Sequence, residues 1–181
     1  MSEDKERLKL ILRENSILHG KFVLSSGKES NFYIDARLTT LHPEGVYLIG
    51  KIFLDEIVKN PDINAVGGPT MGADPIIGSI LALSNKNKHP LHGFIVRKDE
   101  KDHGTGKLIE GNLKSGDIVA IVEDVMTTGR SIFRAIDAVE KLGAIVKKVL
   151  VIVDREEGGR ERVEEKGHEF FSIFQIGELL E

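Results

Sequence analysis

Two stretches of this chain, Ile118-Val-Ala-Ile-Val122 and Val149-Leu-Val-Ile-Val153, contain no polar residue. A strand with one wet face alternates apolar and polar side chains, so unbroken apolar runs of strand length suit strands covered on both faces. Between them Ile132, Ile136 and Val139 fall on one stripe of a helix predicted over Ile132–Leu142. Strand, helix and strand in this order form a βαβ unit with parallel strands. Other segments extend the pattern. Ile63–Val66 and Phe94–Val96 read as strands, with a helix carrying Ile76, Ile77, Ile80 and Leu81 between them, and His168–Phe174 reads as an edge strand. The expected fold class is α/β, a doubly wound, mostly parallel sheet. In such sheets ligands bind beyond the carboxyl ends of the strands, so chemistry is sought there.

The N-terminal part departs from this pattern. Asp4–Arg13 reads as an amphipathic helix with Leu8, Ile11 and Leu12 on one face. Phe22–Leu24 and Phe32–Ile34 read as short strands around the turn Ser25-Ser-Gly27. A helix begins at Pro43, carries Val46, Ile49, Phe53 and Ile57, and stops by Pro61. With 181 residues and no linker or repeat, a single domain over 1–181 is expected. The net charge of −4 argues against a nucleic-acid partner. The absence of cysteine excludes disulfides, thiolate metal sites and a cysteine nucleophile. Met1–Leu10 has no apolar signal region, and no run reaches the roughly 18 apolar residues of a membrane span. A soluble, cytoplasmic protein without a membrane partner is expected.

The first central run leads into Glu123-Asp-Val-Met-Thr-Thr-Gly-Arg-Ser131 and then a helix. Small residues at a helix start allow close backbone approach, and the free N–H groups there attract anions. Thr127, Thr128 and Ser131 add hydroxyl donors. Glu123 and Asp124 repel phosphate, but they accept hydrogen bonds from sugar hydroxyls and interact with hydrated Mg²⁺. A ligand with a 5-phosphate at one end and ribose hydroxyls near the acids satisfies both features. An ordinary capped turn with solvated acids fits the same composition. Neither G-x-x-x-x-G-K-[ST] nor a G-x-G-x-x-G after a strand occurs. Arg97–Gly111 is a charged segment far longer than the usual connection of about 4–6 residues. Gly67-Gly-Pro-Thr-Met-Gly72 reads as a second strand-to-helix bend able to hold a diphosphate by backbone N–H groups.

Ile121-Val-Glu-Asp-Val-Met-Thr-Thr-Gly-Arg-Ser131 resembles the phosphoribosyl pyrophosphate (PRPP) motif of the type I phosphoribosyltransferases. Within that family the chain is similar to the orotate branch. The likeness rests on Phe22-Val-Leu-Ser-Ser-Gly-Lys-Glu-Ser-Asn-Phe-Tyr-Ile-Asp-Ala-Arg37, Gly67-Gly-Pro-Thr-Met-Gly-Ala-Asp-Pro-Ile76, Arg97-Lys-Asp-Glu-Lys-Asp-His-Gly104 and Asp154-Arg155. These segments cover most of the chain.

The resemblance implies a type I phosphoribosyltransferase fold with a small N-terminal hood, from about residue 1 to 40, and a mobile loop at 97–111. It implies transfer of the phosphoribosyl group of PRPP to orotate, giving orotidine 5′-monophosphate and pyrophosphate in UMP biosynthesis. Contacts to PRPP are implied for Arg97, Lys98, Lys101 and His103, for Thr70 and Met71, and for Glu123, Asp124, Val125, Met126, Thr127, Thr128, Gly129, Arg130 and Ser131. Glu123, Asp124, Lys101 and His103 are the implied catalytic residues. Orotate is assigned to Thr127, Arg155, Lys28 and Tyr33, with Phe32 or Tyr33 available to stack on the base. Mg²⁺ is expected to be held mainly by substrate oxygens, with no metal ligand set of the protein's own. A homodimer is implied, its loop 97–111 reaching the neighbouring site. Some family members carry lysines where this chain has Ser25 and Gly72. A purine-base transferase and a non-catalytic PRPP sensor are the alternatives. The first predicts a segment other than Asp-Arg after Val153, and the second an added nucleic-acid-binding module.

Overall fold

The computed structural model describes residues 3–23, 29–99 and 108–180. Helix α1 (Glu3–Asn15) buries Leu8, Ile11 and Leu12, the stripe their spacing predicts. Strands β1 (Ile17–Val23) and β2 (Glu29–Ile34) pair antiparallel in a two-stranded ribbon apart from the main sheet. A single helical turn, α2 (Arg37–Thr40), leads to α3 (Pro43–Ile57). His42 caps α3 by accepting the Gly45 N–H through Nδ1 at 3.3 Å, and Pro43 takes the first turn, where a missing N–H is harmless.

The rest alternates β3 (Ala65–Pro69), α4 (Asp74–Lys86), β4 (His92–Val96), β5 (Ile109–Gly111), β6 (Ile118–Met126), α5 (Arg130–Leu142), β7 (Ile145–Asp154), α6 (Gly159–Glu165), β8 (Glu169–Gln175) and α7 (Ile176–Leu180). Six strands form one sheet in the order β5-β4-β3-β6-β7-β8. Neighbours are parallel except β4 and β5, which are antiparallel. The chain runs outward from β3 to β5, then returns to place β6 beside β3. That reversal is the switch point of a doubly wound sheet, where a crevice opens at the carboxyl ends of the strands.

Both faces of the sheet are covered, as the apolar runs require. Ala120, Val122, Leu150 and Ile152 pack with residues of α1, α3 and α4. Val119, Ile121, Val149 and Val151 pack with residues of α5 and with Val163 of α6. The odd–even split follows from side chains alternating across a strand.

The structure differs from the sequence expectations in several places, and β1 starts at Ile17 instead of Phe22. β3 starts later than Ile63 and takes in Gly67, Gly68 and Pro69, which the sequence suggests as a bend. These glycines make room inside the sheet. A Cβ on Gly67 would lie 2.4 Å from the Phe94 ring, and one on Gly68 would lie 2.1 Å from the Val122 carbonyl oxygen. Segment 97–111 closes in a strand, β5, whose residues pair with Phe94–Val96 of β4. β6 continues through Met126, so Glu123 and Asp124 belong to a strand instead of a loop. Lys28, Lys101 and His103 lie outside the described residues.

Candidate active site

A cavity of 730 Å³ opens at the switch point. Three regions supply its walls: Tyr33 to Arg37 at the end of β2 and beyond it, Met71 and Gly72 after β3, and the ends of β6 and β7 with their following turns.

Strand alternation separates the acidic pair. Asp124 shares the face of Val122 and lines the cavity. Its Oδ1 accepts the Val125 N–H at 2.7 Å, and burial pushes its carboxyl above the ordinary range. Glu123 points to the α5 side, is 7% exposed and does not line the cavity. Its Oε2 accepts a short hydrogen bond from Ser131 Oγ. Burial raises the Glu123 carboxyl to about 8, with the Ser131 bond opposing. A neutral carboxyl tied to the first turn of α5 anchors that turn to the strand.

The turn between β6 and α5 is shaped by Gly129, whose φ of 77° disfavours other residues. A Cβ there would also meet the Phe133 ring at 3.0 Å. Val125, Thr127, Thr128 and Arg130 line the cavity, whereas Met126 is buried beneath them. Arg162 of α6 stacks over Phe133, its Cζ 4.4 Å from the ring centroid, and donates to the Thr128 carbonyl at 2.7 Å. That carbonyl is thereby occupied from behind. N–H groups at the start of α5, the positive end of its dipole, suit an anion.

Arg155 follows β7 and lines the same cavity. Its side chain is 10% exposed, lies 3.2 Å from Glu157 Oε1, and has Cζ 5.4 Å from the Phe32 ring centroid. Tyr33 lines the cavity and Phe32 packs against the core, again by alternation along a strand. Of the two rings, Tyr33 is therefore the one that faces the cavity; it is 37% exposed and tilted against Phe22. A neighbouring depression of 370 Å³, at the ends of β3 and β4, brings together Thr70, Arg97 and Lys98. Arg97 there is 3.8 Å from Glu110.

The site thus combines an anion-binding helix start, a buried carboxylate and an arginine in a strand-end crevice. Comparison with known proteins gives the chain's family. Residues 45–175 match the phosphoribosyl transferase domain model. The orotate phosphoribosyltransferase of Aquifex aeolicus is 43% identical over 180 residues, 98% of each chain. That of Pyrococcus horikoshii is 43% identical over 99% of this chain and 94% of its own. The chain belongs to the orotate phosphoribosyltransferase branch of the type I phosphoribosyltransferases. A solved family structure, the Mycobacterium tuberculosis orotate phosphoribosyltransferase in complex with PRPP, superposes with a TM-score of 0.80. It is 35% identical, and the match covers 98% of this chain and 99% of that one.

The cavity and its supports include residues with little or no signal in the sequence. Asp35 and Arg37 stand inside a quoted motif, but only the fold carries them into the cavity. Glu157 lacks any local signal, and Arg162 reads as one charge among many on a short helix. Gly72 has a structural reason for lacking a side chain: a Cβ would lie 2.7 Å from Asp124 Oδ1.

Proposed function

We infer that the protein transfers the phosphoribosyl group of PRPP to orotate, releasing pyrophosphate and forming orotidine 5′-monophosphate for pyrimidine synthesis. The observation that carries this reading is the joint placement of Asp124, the Thr127–Arg130 turn and Arg155 around one cavity in a chain of this family. The 5-phosphate sits on the N–H groups and hydroxyls of the β6–α5 turn. Ribose hydroxyls face Asp124, and the orotate carboxylate takes the Arg155 guanidinium as a bidentate partner. Glu157 is the placeholder that this carboxylate displaces. Glu123 acts here through Ser131 and the turn.

Displacement at C1 of the ribose needs no protein nucleophile. The chain contributes positioning, exclusion of water, and a carboxylate beside the developing positive charge on the ribose ring. Lys101 and His103 of segment 97–111 are assigned to the diphosphate.

Among the described residues no group of three or more His, Asp or Glu stands together as a metal site. Three carboxylates line the cavity, Asp35, Asp124 and Glu157; Asp35 is paired with Arg37 and Glu157 with Arg155, which leaves Asp124 for a cation. A single carboxylate fits Mg²⁺, which keeps waters and takes one or two carboxylates together with substrate oxygens. When bound, Mg²⁺ offsets diphosphate charge. Asp124 is the residue that would face it.

A second copy of this chain completes the site. In support, Leu38, Leu41 and Tyr47, following Arg37 in sequence, are 49%, 73% and 48% exposed, and Leu41 and Tyr47 line one depression that a second copy can cover. No helix among the described residues is long and apolar enough to cross a membrane, consistent with a soluble enzyme of the cytoplasm.

The test is chromatography of reactions containing PRPP and orotate, uracil, adenine or guanine. Orotidine 5′-monophosphate and pyrophosphate should form in equal amounts with Mg²⁺, and excess chelator should stop the reaction. Preference for a purine, or full turnover in chelator, would refute the base or the metal assignment respectively.

A further inference from the structure

Arg37 opens α2 and lines the cavity with its side chain 47% exposed. Its guanidinium is held in one plane. Asp35 accepts from Nε at 2.8 Å and from Nη2 at 2.9 Å, and the same carboxylate accepts the Arg37 backbone N–H at 3.2 Å. This is the side-on form of a bidentate pair. The end-on edge, Nη1 with the outer hydrogen of Nη2, stays outside it. One edge of the fork is thus used for orientation, and the other can meet a second anion.

A different wall of the same cavity is the Met71–Gly72 bend beside Asp124. Gly72 supplies no cation to this bend, and a Cβ there would force the Asp124 carboxylate to shift. Three arginines are among the described lining residues: Arg37, Arg130 and Arg155. Arg155 is engaged by Glu157, and Arg130 belongs to the turn that starts α5. Arg37 lies near enough to Asp124, which stands against Gly72, to feel its charge. Its charged form is favoured first by the Asp35 bonds, and Asp124 contributes through space.

We propose that Arg37 is a catalytic residue that binds the diphosphate end of PRPP and the pyrophosphate product through its end-on edge, and that Asp35 is the positioning residue holding it there. The proposal rests on the PRPP reading above. As the bond to C1 breaks, negative charge grows on the departing diphosphate. A preoriented guanidinium binds that charge more strongly in the transition state than in the bound substrate, so kcat falls when it is removed. The pair with Asp35 is exposed, so a polyanion can shift the fork with little loss.

The experiment compares Arg37→Ala, Arg37→Lys and Asp35→Asn with the wild type. Titration calorimetry measures affinity for inorganic pyrophosphate and for PRPP, and steady-state kinetics gives kcat and both KM values. Arg37→Ala should weaken pyrophosphate and PRPP about tenfold, the loss of one charge-assisted contact, with orotate KM unchanged and kcat reduced. Arg37→Lys should recover part of the affinity, because charge returns without the fork. Asp35→Asn should show a smaller loss of the same kind. Unchanged pyrophosphate and PRPP affinity in Arg37→Ala, or a change confined to orotate, would overturn the assignment. Wild-type behaviour of Asp35→Asn would overturn the positioning role. If the wild type binds PRPP without using orotate, the proposed reaction fails, yet the affinity comparison still decides Arg37.

Discussion

Glu123 and Asp124 are adjacent in sequence and chemically alike, but one bond of strand alternation gives them opposite environments. Glu123 is the group with consequences for stability. Its carboxyl, ordinarily near 4.5, is raised to about 8, mainly by burial. Between these values the folded chain keeps a proton that the unfolded chain releases. The unfolded state therefore binds fewer protons, and stability falls as pH rises through this window, by on the order of 1 kcal/mol per unit. Glu123→Gln keeps a partner for Ser131 and removes the titration. Urea midpoints from pH 5 to 8 should decline less in the variant than in the wild type, and parallel curves would show Glu123 already ionised. Arg155 has consequences for binding. Arg155→Ala should raise orotate KM by one to two orders of magnitude, since a charge-assisted bidentate contact contributes about 1.5–3 kcal/mol. PRPP KM should not move. An unaltered orotate KM would place the base elsewhere in the cavity.

At the scale of elements, glycines at one end of the sheet do unlike work. Gly78 in α4 meets nothing within 4 Å of an added Cβ, so Gly78→Ala should leave activity intact and raise stability by about 0.5–1 kcal/mol through helix propensity. Gly72, in the turn just before the same helix, presses on Asp124. Gly72→Ala must push that carboxylate aside, and a displacement of this kind is expected to cost about 10²-fold in kcat. Thermal melts and initial rates on the two variants separate the cases. Equal activity in both would mean that Asp124 moves without consequence. The helices and the two central strands are legible in the sequence because periodicity reports burial. Strand ends are less so. Glu123 looks like a loop residue until its buried pairing with Ser131 is seen, and Gly67-Gly68 looks like a bend until Phe94 and Val122 are found packed against it. Turn α2 and helices α6 and α7 are too short to show a period.

At the scale of the whole molecule, the proposed homodimer has a measurable consequence. The expectation that loop 97–111 reaches across a dimer predicts complementation. Lys101→Ala and Asp124→Asn, each inactive alone, are unfolded together and refolded at equal concentration. Random pairing places half the chains in mixed dimers, and one of the two sites in each has both wild-type halves, so about a quarter of wild-type activity should return. Mixed dimers without activity would place the loop in its own subunit's site. What the sequence determined by itself was local or repetitive: the apolar runs that demand a sheet covered on both faces, the helix stripes, and the contiguous Glu123–Ser131 segment with the family it marks. Tertiary structure alone decided the rest of the cavity. Asp35 and Arg37, Gly72, Asp124 and Arg155 come from different elements, and they meet because strand order reverses between β3 and β6. A sequence pattern reports which face of its own element a residue occupies. Distances between elements depend on packing that no single segment encodes.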